Sequence, residues 1–103
     1  MTTKRLSTFE VLERKFGRLS FGSFLHSWRI SEEISQTAFA KKLGISVQNL
    51  NDLEKGRRIP SPARAAKIAK KLGLDEMVVI QLAIRDSLYK DGLKYDVQLF
   101  SAS

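Results

Sequence analysis

The stretch that decides the fold is Gln36 to Lys55, QTAFAKKLGISVQNLNDLEK. Its apolar residues recur at helical spacing in two short runs, Phe39, Ala40 and Leu43 in the first, Leu50 and Leu53 in the second. Ser35 and Ser46 stand where N-caps belong, and Gly44 stops the first run. The turn Gly44-Ile45-Ser46 is too short to let two helices lie antiparallel side by side. Close crossing then demands a small residue at the contact, which Ala40 supplies, and a residue tolerant of positive φ at the turn, which Gly44 supplies. Phe39, Leu43, Ile45, Leu50 and Leu53 provide the apolar inner faces. These seven positions meet one geometric template, the helix-turn-helix.

Reading outward, Gly56 ends the second helix, and Arg57-Arg58-Ile59-Pro60 is a loop because Ile59 precedes a proline. Ser61-Pro62 opens a further helix with N-cap and N1 proline in their preferred order, burying Ala65, Ile68, Ala69 and Leu72 before Gly73. Asp75 caps a last helix to about Lys90, carrying Met77, Ile80, Leu82, Ala83, Ile84 and Leu88, and Gly92 ends it. Upstream, Phe21, Phe24, Leu25 and Trp28 form the apolar stripe of a helix around 20–29, interrupted by Ser31-Glu32-Glu33. Ser7-Thr8-Phe9-Glu10 has capping-box spacing and leads into Phe9, Leu12 and Phe16, an N-terminal helix ended by Gly17. Lys94 to Phe100 switches to period two and predicts a strand. The expected architecture is all-α: a five-helix bundle over 20–91, an extra helical extension over 1–19, and a short C-terminal β-strand in the tail 92–103.

Composition narrows the function classes. A chain of 103 residues supports one compact domain. With no cysteine and one histidine, His26, it has no disulfide, no thiolate site, and no material for a histidine metal cage or a Ser/His/Asp triad. Neither a catalytic residue nor a cofactor is expected. No apolar run approaches the roughly 20 residues of a membrane span, and the charged N-terminus lacks a secretory apolar region, so the cytoplasm is the expected compartment. The net charge of +7 is uneven: residues 1–30 carry +4, residues 31–73 carry +5, and residues 74–103 carry −2. One electropositive surface that attracts polyanions follows.

The sequence resembles the Cro/repressor, or xenobiotic-response-element (XRE), family of helix-turn-helix proteins. The resemblance rests on Ser35-Gln36, on Phe39 through Ser46, on Leu53-Glu54-Lys55-Gly56-Arg57-Arg58, on Pro60-Ser61, and on Ile68-Ala69-Lys70-Lys71-Leu72-Gly73. It spans roughly Phe21 to Ile84 and implies a lambda-repressor-like bundle of five helices. It also implies double-stranded DNA as partner, with helix 47–54 reading the major groove.

On that footing Val47, Gln48, Asn49, Asn51 and Asp52 are the outward, base-reading candidates. Gln48 has the amide pair that adenine N6/N7 requires, and Val47 suits a thymine methyl. Asp52 can accept from cytosine N4 or act as a filter against phosphate. Gln36 and Ser46, at helix N-termini, and Lys55, Arg57 and Arg58, on the following loop, are the phosphate-binding candidates. Arg29 and Glu54 match the family's structural ion pair. Lys41, Lys42, Lys67, Lys70 and Lys71 read as solvated faces, Trp28 as core, and His26 as a surface residue.

Two function classes follow: a transcriptional regulator, most simply a repressor, and an antitoxin that binds a protein toxin and controls its own promoter. RNA binding is disfavoured because the A-form major groove is too narrow for the reading helix. A homodimer built by the last helix and residues 94–100 is expected. The strand lacks a partner strand in its own chain, and two reading helices discriminate better than one.

Overall fold

The structure is a computed structural model that describes residues 19–102. Five helices follow one another: α1 (Phe21–Ser31), α2 (Gln36–Leu43), α3 (Val47–Glu54), α4 (Pro62–Leu72) and α5 (Glu76–Lys90). Four serines begin four of them. Ser20, Ser35, Ser46 and Ser61 each accept a hydrogen bond from the backbone N–H three residues on, and Asp75 accepts one from Met77, two residues on. Each cap satisfies a donor that a helix start would otherwise leave open. The apolar stripe of α1 does not by itself mark Ser20 as a cap. Its hydroxyl and that of Ser23 form a reciprocal capping box.

The core is where the five helices meet. Phe21, Leu25, Phe39, Leu50, Leu53, Val79 and Leu82 are fully buried there. Helix α4 packs most extensively on α5, and α1 and α2 both pack on α3. Gly44 adopts φ 72° at the α2–α3 turn, the left-handed conformation that a side chain resists. Lys71 of α4 donates to the Leu43 carbonyl at 2.8 Å, so it caps α2 instead of simply facing solvent. Lys42 is likewise engaged, its ammonium 5.2 Å from the Trp28 ring centre. Trp28, half-buried, stacks on Phe39 with ring centres 5.3 Å apart.

Helix α1 approaches α3 so closely that a Cβ on Gly22 would collide with the Leu53 carbonyl oxygen and lie 2.8 Å from that of Glu54. At the same end of α1, buried Asp86 of α5 accepts the Phe21 backbone N–H at 2.8 Å, and Arg85 donates to the Leu19 carbonyl at 3.2 Å.

The C-terminal strand is not formed: residues 93–102 carry no ladder, and no strand occurs among the described residues. The tail instead folds back along α5, where the Leu99 N–H donates to Gln81 Oε1 at 3.1 Å. Val97 and Leu99 are half-buried while Asp96, Gln98 and Phe100 are exposed. Period two here records an extended segment with one side laid on a helix, which needs no strand partner. The N-terminal helix expected from Ser7 to Phe16 lies outside the described residues.

Candidate nucleic-acid interface

Helix α3 carries the candidate reading surface, and the helical repeat sorts its residues. Leu50 and Leu53 point into the core, while Val47 and Gln48 are exposed. Asn49 lies one turn before Leu53 and shares its side of the helix. Its Oδ1 is buried with no hydrogen-bond partner, so this oxygen is not offered outward. Asn51 is half-buried, and its Oδ1 accepts from Gln36 Nε2 at 3.3 Å. Of the five outward candidates, Val47 and Gln48 are the exposed ones.

Asp52 is also half-buried and already engaged. Its Oδ1 accepts from Gln48 Nε2 at 3.1 Å and from Arg57 Nε at 3.0 Å. Its backbone carbonyl accepts from the N–H groups of Arg57 and Arg58 at 2.9 and 3.2 Å. The loop after α3 is therefore fixed to the helix it follows. Lys55, Arg57 and Arg58 are exposed on that loop, beside the outward side of α3.

Beneath this surface Glu54 gathers three elements. Its carboxylate accepts from Arg29 Nε at 2.8 Å and Nη2 at 3.1 Å, and from Gln36 Nε2 at 3.2 Å. His26 Nδ1 lies 3.1 Å from Glu54 Oε1 and 3.3 Å from Arg29 Nη2. Arg29 Nη1 donates further to the Ile34 carbonyl at 3.1 Å. Burial alone pushes the Glu54 carboxyl up. The hydrogen bonds from Arg29, His26 and Gln36, with the Arg29 charge, outweigh it and hold the group below its ordinary value.

Three contributors were not identified from sequence. His26 lies three residues before Arg29 and so shares its helix face, a spacing that could have drawn attention to it. Gly22, between core residues Phe21 and Leu25, could have suggested a close helix contact. Asp86, in the polar run Arg85-Asp86-Ser87, gave no signal of its burial.

A helix-turn-helix family model matches residues 25–78, more than half of the chain. The chain belongs to the XRE/Cro-type helix-turn-helix family of DNA-binding proteins. Among curated proteins it is similar to the ImmF control region 10 kDa protein of Bacillus phage phi105, with 37% identity over 54 residues. That alignment takes in 52% of this chain and 60% of the phage protein. No solved structure matches. Among the described residues no group of three or more His, Cys, Asp or Glu could hold a metal ion, and no helix is long and apolar enough to cross a membrane.

Proposed function

We propose that this protein is a sequence-specific transcriptional regulator, most simply a repressor that acts by occupying its operator. The observation that carries the reading is the shared outward face of α3 and the loop behind it. Exposed Val47 and Gln48 stand beside Lys55, Arg57 and Arg58, with the loop hydrogen-bonded to Asp52. Gln48 and Val47 read base edges, while the three loop cations anchor phosphates. The N-termini of α2 and α3, at Gln36 and Ser46, direct N–H groups and positive dipole ends toward further phosphates. Asn51, whose Oδ1 is held by Gln36, is read as a further base or phosphate contact. The control-region relative agrees with a regulatory role. The chain is read as a binding protein of the cytoplasm without catalytic residues or cofactor.

The working species is a homodimer. One reading helix discriminates among few base pairs, and two half-sites about 34 Å apart supply the rest. The apolar side chains left exposed on α5 and the tail, Val78, Tyr89, Leu93, Tyr95 and Phe100, favour that end as the contact between copies. The same exposed face supports the second reading, an antitoxin whose toxin covers it.

Selection on randomised duplexes with the purified protein alone tests the proposal. A recovered palindrome with steep salt dependence is the expected result. Equal binding to every duplex would overturn it.

A further inference from the structure

We propose that Asp52 is a positioning residue that couples base reading by Gln48 to phosphate anchoring by Arg57. The inference rests on the major-groove reading above and assigns Asp52 a different part from that of a base contact. One oxygen, Oδ1, accepts both Gln48 Nε2 at 3.1 Å and Arg57 Nε at 3.0 Å. Gln48 and Asp52 are four residues apart, the spacing that brings side chains together on one helix face. Arg57 reaches the same atom because its backbone N–H is pinned to the Asp52 carbonyl at 2.9 Å. The Asp52 side chain is 20% exposed and that of Arg57 56%, so the carboxylate is the sheltered centre and the guanidinium the open end.

The chemistry of each partner gives the arrangement its effect. A free glutamine amide turns about a broad terminal torsion and offers oxygen or nitrogen with little preference. With one Nε2 hydrogen committed to Asp52, Gln48 keeps its Oε1 and its other N–H for a base edge, the acceptor and donor that adenine N6 and N7 require. With Nε committed, Arg57 keeps its terminal N–H groups for a phosphate oxygen, and its charge offsets a carboxylate that would otherwise repel the backbone. The resulting chain runs from base through Gln48, Asp52 and Arg57 to phosphate. Arg58 shares the loop but is joined to Asp52 through main-chain atoms alone.

The test uses the full-length chain and five single variants, Q48A, D52A, D52N, R57A and R58A, with the double variant Q48A/D52A. Each is checked for an unchanged far-UV circular dichroism spectrum and melting curve, then put through selection on randomised duplexes. The expected result is that D52A flattens preference roughly tenfold at the same base pair that Q48A flattens, and nowhere else. D52N, whose amide oxygen still accepts both bonds, retains the preference. The double variant is no flatter than Q48A, and R57A erodes that position whereas R58A weakens all duplexes alike. If D52A and D52N both tighten binding to every duplex with preference intact, Asp52 is only a repelling charge and the proposal is overturned. Flattening by D52A at a base pair other than that of Gln48 overturns it too, because Asp52 then reads its own base. A Q48A protein with unaltered preference overturns the base-reading assignment beneath the proposal, and the proposal with it. Q48A flattening beside a neutral D52A overturns the proposal alone.

Discussion

Arg29 Nε lies 2.8 Å from Glu54 Oε2, and only 3% of the Glu54 side chain meets solvent. The pair joins the last turn of α1 to the last residue of α3 and so ties these two helices together. Replacing Glu54 leaves the Arg29 charge, only 12% exposed, without its carboxylate. Glu54→Ala is expected to destabilise the fold by about 3 kcal/mol, read from urea unfolding.

The pH dependence follows from the lowered Glu54 carboxyl. A carboxylate held below its unfolded value stabilises the fold above that value, about pH 4.3, and loses the contribution as pH falls through the folded value. Melting temperature should therefore drop as the protein is acidified below about pH 4. Glu54→Gln, which cannot titrate, should start lower and fall less steeply. Parallel curves for the two proteins would assign the acid sensitivity to other carboxylates.

Gly22→Ala should cost about 1–3 kcal/mol, because the new methyl meets two backbone carbonyls that no rotamer change can move. It should also weaken DNA binding beyond the fraction unfolded, since α1 and α3 must separate to admit it. Affinity corrected for folded protein decides whether the crossing distance matters to recognition.

Asp86→Ala leaves the buried Phe21 N–H without its acceptor and should destabilise by about 1–3 kcal/mol. Asp86 belongs to α5 and not to α3 or the loop after it, so the folded fraction should bind DNA as the parent does. A change in base preference would place Asp86 in the recognition surface instead.

Arg58→Ala should weaken binding to all duplexes and reduce the salt slope by about one. Removing residues 93–103 should leave a monomer at micromolar concentration by light scattering, because the exposed Leu93, Tyr95 and Phe100 go with the tail. A truncated protein that remains dimeric would move the contact to α5 alone or elsewhere.

The bundle was largely legible in the sequence because its helices announce themselves twice, by apolar spacing and by serine or glycine at their ends. The α2–α3 pair shows this best: Ser35, Gly44 and Ser46 bracket both helices, and both begin and end as the spacing predicts. The tail misled for a physical reason. Alternation at Val97 and Leu99 reports which side is covered, and a helix covers it as well as a second strand would, while Tyr95 stays exposed. Within the candidate interface, the residue types were visible but their mutual contacts were not. Nothing in the order of residues says that Gln48 and Arg57 share one oxygen of Asp52, or that Gln36 turns its amide toward Glu54 and Asn51. Such contacts depend on rotamers and on the crossing of helices far apart in the chain.

The close seating of Gly22 against the Leu53 and Glu54 carbonyls has a consequence for how this protein can change. Main-chain atoms, not interchangeable side chains, line the α1–α3 contact there. Val47 and Gln48 take no part in that contact or in the core. New residues at those two places can therefore be tried on a frame that stays put. On the proposed reading, stability and target choice are then largely separable at these two positions, and an altered operator preference is expected to be reachable by small steps that leave folding intact.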